Sequence, residues 1–100
     1  MNKDFRLAFD ILDKVFRENA YSNILLSEVL DKADNRALLT KLVYGTLEKN
    51  ITLEYYIGEL CQNKPSGKIL VILKLGLYLL KFIDSVPAFA VVNEMVNLTT

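Results

Sequence analysis

The sequence predicts an all-α fold, a helical bundle of about six helices, on three observations. Apolar residues recur at helical spacing along most of the chain, and Val, Ile and Thr never alternate cleanly with polar residues as they do in a half-buried strand. Breaks rich in Asn, Ser, Gly and Pro separate these segments. A hydrophobic share of 52% in 100 residues supplies one core, and so one domain spanning residues 1–100.

The first segment runs from about Lys3 to Glu18. Phe5, Ala8, Phe9, Leu12, Val15 and Phe16 fall on one face, and Lys3, Arg6, Asp10, Asp13, Lys14 and Arg17 on the other. Leu7 and Ile11 are placed on the flank, partly off the core stripe. The turn-prone "NAYSN" breaks the pattern, and a short helix follows over roughly Ile24 to Asp31. A third helix spans about Asn35 to Lys49, with Asp34 or Asn35 as its N-cap. Leu38, Leu39, Leu42, Val43, Tyr44 and Leu47 cover most of its circumference, which predicts a mostly buried helix. Gly45 inside it costs about 1 kcal/mol against Ala, so a close approach by another helix is expected there.

"NIT" opens a fourth helix, about Thr52 to Cys61, and "QNKPSGK" is the clearest loop in the chain. A fifth helix, about Ser66 to Phe82, is apolar nearly all round and is therefore the expected centre of the bundle. Gly76 is a second expected point of close packing. "DSVP" breaks the chain again, and Pro87 suits the first turn of a sixth helix. That helix runs to Thr100 with no terminating signal, so the chain is expected to be a shortened piece of a longer protein.

Lys and Arg number 12, Asp and Glu 12, and His is absent, giving zero net charge and no bulk attraction to nucleic acid. Any such binding needs a local basic patch. One cysteine, Cys61, forms no internal disulfide, which fits a reducing, cytoplasmic compartment. The N-terminus lacks the apolar core of a signal peptide. The most apolar run, Ile69 to Ile83, is shorter than the roughly 20 residues that span a bilayer and is interrupted by Lys74 and Lys81, so it is read as a core helix and no membrane partner is expected.

Catalysis by this chain alone is not expected. Without His and with one Cys, neither a zinc site nor a Ser–His nucleophile can be assembled, so no metal is expected. Gly67-Lys68 lacks the upstream glycine and following Ser/Thr of a phosphate-binding loop. Cys61 has no His to activate it and is read as a small boundary hydrophobe.

The binding candidates are basic. Lys3, Arg6, Lys14 and Arg17 share a face, either as a solvated mixed-charge surface with Asp10 and Asp13 or as an edge that meets RNA phosphates. Lys3 and Arg6 are the better half, with only Asp4 nearby. Arg36 opposes the dipole at the start of the third helix, so it needs a carboxylate partner or an RNA phosphate. Tyr44 and Tyr78 are expected in the core; Tyr21 and Tyr55 are expected to be accessible. Asn93 lies at the edge of the stripe formed by Ala88, Val91, Val92, Met95 and Leu98, which predicts a hydrogen-bonded tether. Glu94 falls on the open face.

Three phrases, "AFDILDKVFRENAYSNILLSEVL", "NRALLTKLVYGTLEKNITLEYYI" and "LKLGLYLLKFIDSVPAFAVVNEMVNL", resemble the NusB-like N-terminal domain of the RsmB/Sun-type 16S ribosomal RNA cytosine-5 methyltransferases. The resemblance runs in order over nearly the whole chain; "AYSN" favours the methyltransferase branch over free-standing NusB, the antitermination factor. It implies a NusB-like bundle that binds small-subunit ribosomal RNA or docks an enzyme on it. Methylation would reside in a separate C-terminal domain that binds S-adenosylmethionine, so the partners implied are ribosomal RNA and that methyltransferase domain. A shortened bundle is also expected to self-associate through the face a further helix would cover. The alternatives are a protein–protein interaction module, favoured by zero net charge and by Leu7 and Ile11, or a free-standing NusB-type transcription antitermination factor. Where the family tends to carry Arg after "YGTL" this chain has Glu48 and Lys49; it has Phe89 for the His of "VPAHA", and Thr100 where Lys is common.

Overall fold

The computed structural model describes residues 2–99, so Thr100 lies outside the described residues. Six α-helices follow one another: α1 (Asn2–Glu18), α2 (Ser22–Val29), α3 (Arg36–Glu48), α4 (Asn50–Leu60), α5 (Gly67–Phe82) and α6 (Ala88–Thr99), with a 3-10 turn at Leu30–Lys32. No described residue lies in a strand. The helix boundaries have local causes. Asn19 takes a left-handed conformation (φ 58°) that stops α1, and the Ala20 N–H turns back to the Lys14 carbonyl at 3.2 Å. The Asn35 side chain accepts the Leu38 N–H at 3.0 Å and caps α3. Pro87 stands one residue ahead of α6 rather than within its first turn, and its carbonyl accepts the N–H groups of Ala90 (3.1 Å) and Val91 (3.3 Å).

The all-round apolar α5 sits at the centre, packed against α1, α3, α4 and α6. Its Val71, Ile72, Leu75 and Leu79 meet Phe5, Ala8, Phe9 and Leu12 of α1 and Leu39, Leu42 and Val43 of α3 in one buried cluster. Both interior glycines mark close approaches. A Cβ at Gly45 would collide with the hydroxyl and ring of Tyr78, and one at Gly76 with the side chain of Met95. Met95 can swing aside; the buried Tyr78 ring has less room.

Two buried charged residues tie elements together. Asp4, 1% exposed, accepts the backbone N–H groups of Asp34 (2.8 Å) and Asn35 (3.1 Å), fixing the first turn of α1 to the entry of α3. Lys74, 4% exposed in the middle of α5, lays its ammonium over the Phe16 ring at 4.0 Å and within 3.6 Å of the Glu54 carboxylate on α4. Burial pushes the Lys74 pKa below its ordinary 10.5, against the pull of Glu54.

Several expectations are corrected. Ile11 is buried at 3% and Leu7 half-buried, because α2 packs across that flank of α1. Helix α2 itself begins two residues earlier than expected, at Ser22. Tyr44 is exposed, whereas Tyr78 is buried; the buried stripe of α3 runs through Leu39, Leu42, Val43 and Thr46 and leaves Tyr44 outside. Along α6 only Val91 and Leu98 are buried. Its rotation turns Val92 and Asn93 outward and leaves Glu94 half-buried. Asn93 therefore holds nothing in place: it is exposed and forms no side-chain hydrogen bond among the described residues.

Candidate nucleic-acid interface

The outer face of α1 is a consequence of its amphipathic pattern. With Phe5, Ala8, Phe9 and Leu12 buried, Lys3, Arg6, Lys14 and Arg17 are all exposed. Asp4, the acid next to Lys3 and Arg6 in sequence, is turned inward to the α3 entry and so does not compete with them at the surface. Arg6 and Lys14 each lie one helical turn from Asp10, and Lys68 at the start of α5 adds a third cation within reach of that carboxylate. Arg17 is drawn away into an ion pair with Asp13 at 3.1 Å. Arg36 pairs with Asp31 at 3.1 Å, which supplies the carboxylate its position required. The structure thus gathers Arg6, Lys14 and Lys68 round one acid and leaves Arg17 and Arg36 in separate pairs.

Lys68 escaped the sequence reading because its phrase, "PSGK", carries only turn signals. Its Nζ lies 5.9 Å from the centre of the Phe9 ring, an α1 contact that nothing in the local sequence announces. Lys32, after α2, was also missed. It joins Lys14, Asp10 and Glu28 along a cavity of about 250 Å³ floored by Leu7, Ile11, Leu25 and Val29 between α1 and α2. Burial lifts the Asp10 carboxyl above its ordinary 3.8, assisted by Asp13 and opposed by the charges of Arg6, Lys14 and Lys68. The folded chain holds this proton more tightly than the unfolded one, so it loses stability as pH rises from 3.8 through the raised value. Asp10→Asn is expected to abolish that loss, read as a flatter stability profile in acid titrations of urea unfolding; an unchanged profile would show that Asp10 is not desolvated.

A larger open groove, about 650 Å³, follows α3 past Arg36, Lys41, Tyr44 and Glu48, with Tyr78 at its floor. A third concavity, about 220 Å³, is apolar and lies between α5 and α6, lined by Ile69, Ile72, Leu73, Val92, Met95 and Val96. Cys61, after α4, is half-buried and unpaired by any disulfide among the described residues. The described residues contain no group of three or more His, Cys, Asp or Glu placed to hold a metal ion, and no described helix is long and apolar enough to cross a membrane.

The chain matches the NusB family over residues 4–100. It is 35% identical over 99 residues to a probable ribosomal RNA small subunit methyltransferase B of Bacillus subtilis, covering 92% of this chain and 22% of the relative. It is 37% identical over 101 residues to the protein of the same description in Synechocystis, covering 93% of this chain and 22% of the relative. The chain therefore spans about a fifth of the length of these relatives. No solved structure gives a significant match.

Proposed function

The chain belongs to the NusB family, and on that premise we propose that it is a non-catalytic RNA-docking domain of a longer S-adenosylmethionine-dependent ribosomal RNA cytosine-5 methyltransferase. The observation that carries the RNA part is the exposed row Lys3, Arg6, Lys14 and Lys68, with Asp4 withdrawn from it. Such a row binds phosphates through counterion release, which brings the domain to RNA without reading its sequence. The methyltransferase part rests on two relatives whose names state that activity, and both favour it over free-standing antitermination.

S-adenosylmethionine does not fit the residues present. Its usual protein cradle is a glycine-rich turn between a strand and a helix, and the described elements are all helical. Gly45 and Gly76 are closed off by Tyr78 and Met95, and Gly67 stands alone at the α5 entry. Methyl transfer accordingly belongs to another part of the longer protein.

Binding of the chain to a small-subunit ribosomal RNA hairpin, measured across a salt series, tests this reading. The expected result is an affinity that falls steeply with salt, with Lys3→Ala and Arg6→Ala together reducing the slope by about 1–2. Absent or salt-insensitive binding by this chain and by its longer parent would overturn it. Asp10→Asn is expected to tighten binding about threefold at low salt by freeing its three cations.

A second reading, contact with another protein surface, is favoured by the apolar α5–α6 concavity, where Val92 and Val96 are 51% and 56% exposed. Leu7 and Ile11 no longer support it, since α2 covers them. Sedimentation at high concentration tests whether that surface joins two copies; a clean monomer removes self-association.

A further inference from the structure

We propose that the groove along α3 holds a single unstacked RNA base, with Tyr44 as its stacking platform, Lys41 on its phosphate and Glu48 on its polar edge. The inference deepens the RNA-docking reading and rests on it. Four features converge. Tyr44, 41% exposed, presents an aromatic face to the groove, and bases stack on such faces whatever their sequence. Lys41, exposed, makes no ion pair among the described residues, and Arg36, five residues before it, pairs with the exposed Asp31. Glu48 stands one turn beyond Tyr44. Along the helix, cation, ring and carboxylate thus follow at about 4.5 Å and 6 Å of rise, the order of phosphate, base and base edge in a nucleotide.

The fourth feature is the floor. Tyr78 is 96% buried by the complement of its 4% exposure, yet it lines the groove. Its hydroxyl has no hydrogen-bond partner among the described residues. It reaches the groove because Gly45 has no Cβ to block it. The hydroxyl is not one of the buried unpartnered side-chain atoms, which among the described residues are Thr46 Oγ1 and Asn50 Oδ1; it opens on the groove, where a base or water can meet it. The volume of about 650 Å³ lies within the usual range for small-ligand sites. An acidic edge partner favours bases that carry an amino group over uracil, whose single edge donor, N3–H, lies between two oxygens that repel the carboxylate.

The test uses the 100-residue chain with a looped RNA hairpin, a fully paired duplex of the same stem, and cytidine and uridine 5′-monophosphates as direct probes. Tyr44→Ala is expected to lower affinity for the looped RNA about tenfold and leave the duplex unchanged, while Tyr44→Phe keeps both. Cytidine monophosphate is expected to shift the amide resonances of residues 40–48 more than uridine monophosphate, and Glu48→Gln to erase that difference. If Tyr44→Ala leaves looped RNA unaffected while Lys3→Ala with Arg6→Ala weakens it, the groove assignment is overturned and RNA docking stands. If neither the unmodified chain nor its longer parent binds either RNA, both are overturned. If nucleotides leave the groove resonances unmoved, the groove is not a base site.

Discussion

Asp4→Ala is expected to lower the unfolding free energy by about 3 kcal/mol, because it removes the buried carboxylate that accepts two backbone donors at once. The carboxylate accepts the N–H groups of Asp34 and Asn35 at 2.8 and 3.1 Å. A hydrogen bond to a charged group contributes roughly 1.5–3 kcal/mol, and the two part-buried bonds at the low end of that range account for the loss. For a domain of this size the change corresponds to a fall in Tm of about 15 °C. Asp4→Asn should lie between, since its one oxygen can serve one donor while its amide nitrogen faces the other. Urea unfolding followed by helical circular dichroism measures both. A loss below about 1 kcal/mol for the alanine variant would mean that water replaces the carboxylate at the α3 entry.

The second large effect concerns Lys74. Its ammonium is enclosed by Phe16 and reached by Glu54, which also meets the exposed Lys64 at 3.6 Å. Removing the acid leaves a buried cation with no counter-charge; removing the cation leaves Glu54 a second partner. Breaking a fully buried pair costs about 3–5 kcal/mol. Glu54 is one-third exposed, so a discounted cost of about 2 kcal/mol is expected for Glu54→Ala. Lys74→Met, similar in length and apolar against Phe16, is expected to be neutral or to stabilise. The pH dependence follows from the lowered pKa. The unfolded chain holds the Lys74 proton up to 10.5 while the folded one releases it earlier, so stability rises with pH between the lowered value and 10.5. Tyr78, whose pKa burial and then Glu48 raise above 10.0, opposes this in the alkaline range. The difference between the native chain and Lys74→Met cancels the tyrosine and isolates the lysine. A flat difference, or Lys74→Met destabilising more than Glu54→Ala, would contradict a desolvated ammonium.

Helix order and the central place of α5 were legible because they depend on spacing along one segment. An apolar run that leaves no polar face has nowhere to go but the middle. What was not legible depends on which segment lies beside which. Ile11 looks marginal on the wheel of α1 alone and becomes core only because α2 crosses it. Tyr44 and Tyr78 have similar sequence surroundings, and the rotation of α3 decides between them. Asp4 reads as one more surface acid, since its partners lie 30 and 31 residues away. Lys74 reads as an interruption in an apolar run until α4 places Glu54 next to it. The basic half of the candidate interface was visible as a stripe on α1, but Lys68, which completes it, arrives from a distant turn.

The fit of Tyr78 against Gly45 binds two positions 33 residues apart into one unit of inheritance. A lineage cannot add a side chain at 45 while the ring at 78 fills that space; the ring must shrink first. Shrinking it empties the floor of the α3 groove. Drift at either site is therefore gated by the other, and descendants that change both should do so in a fixed order, aromatic before glycine.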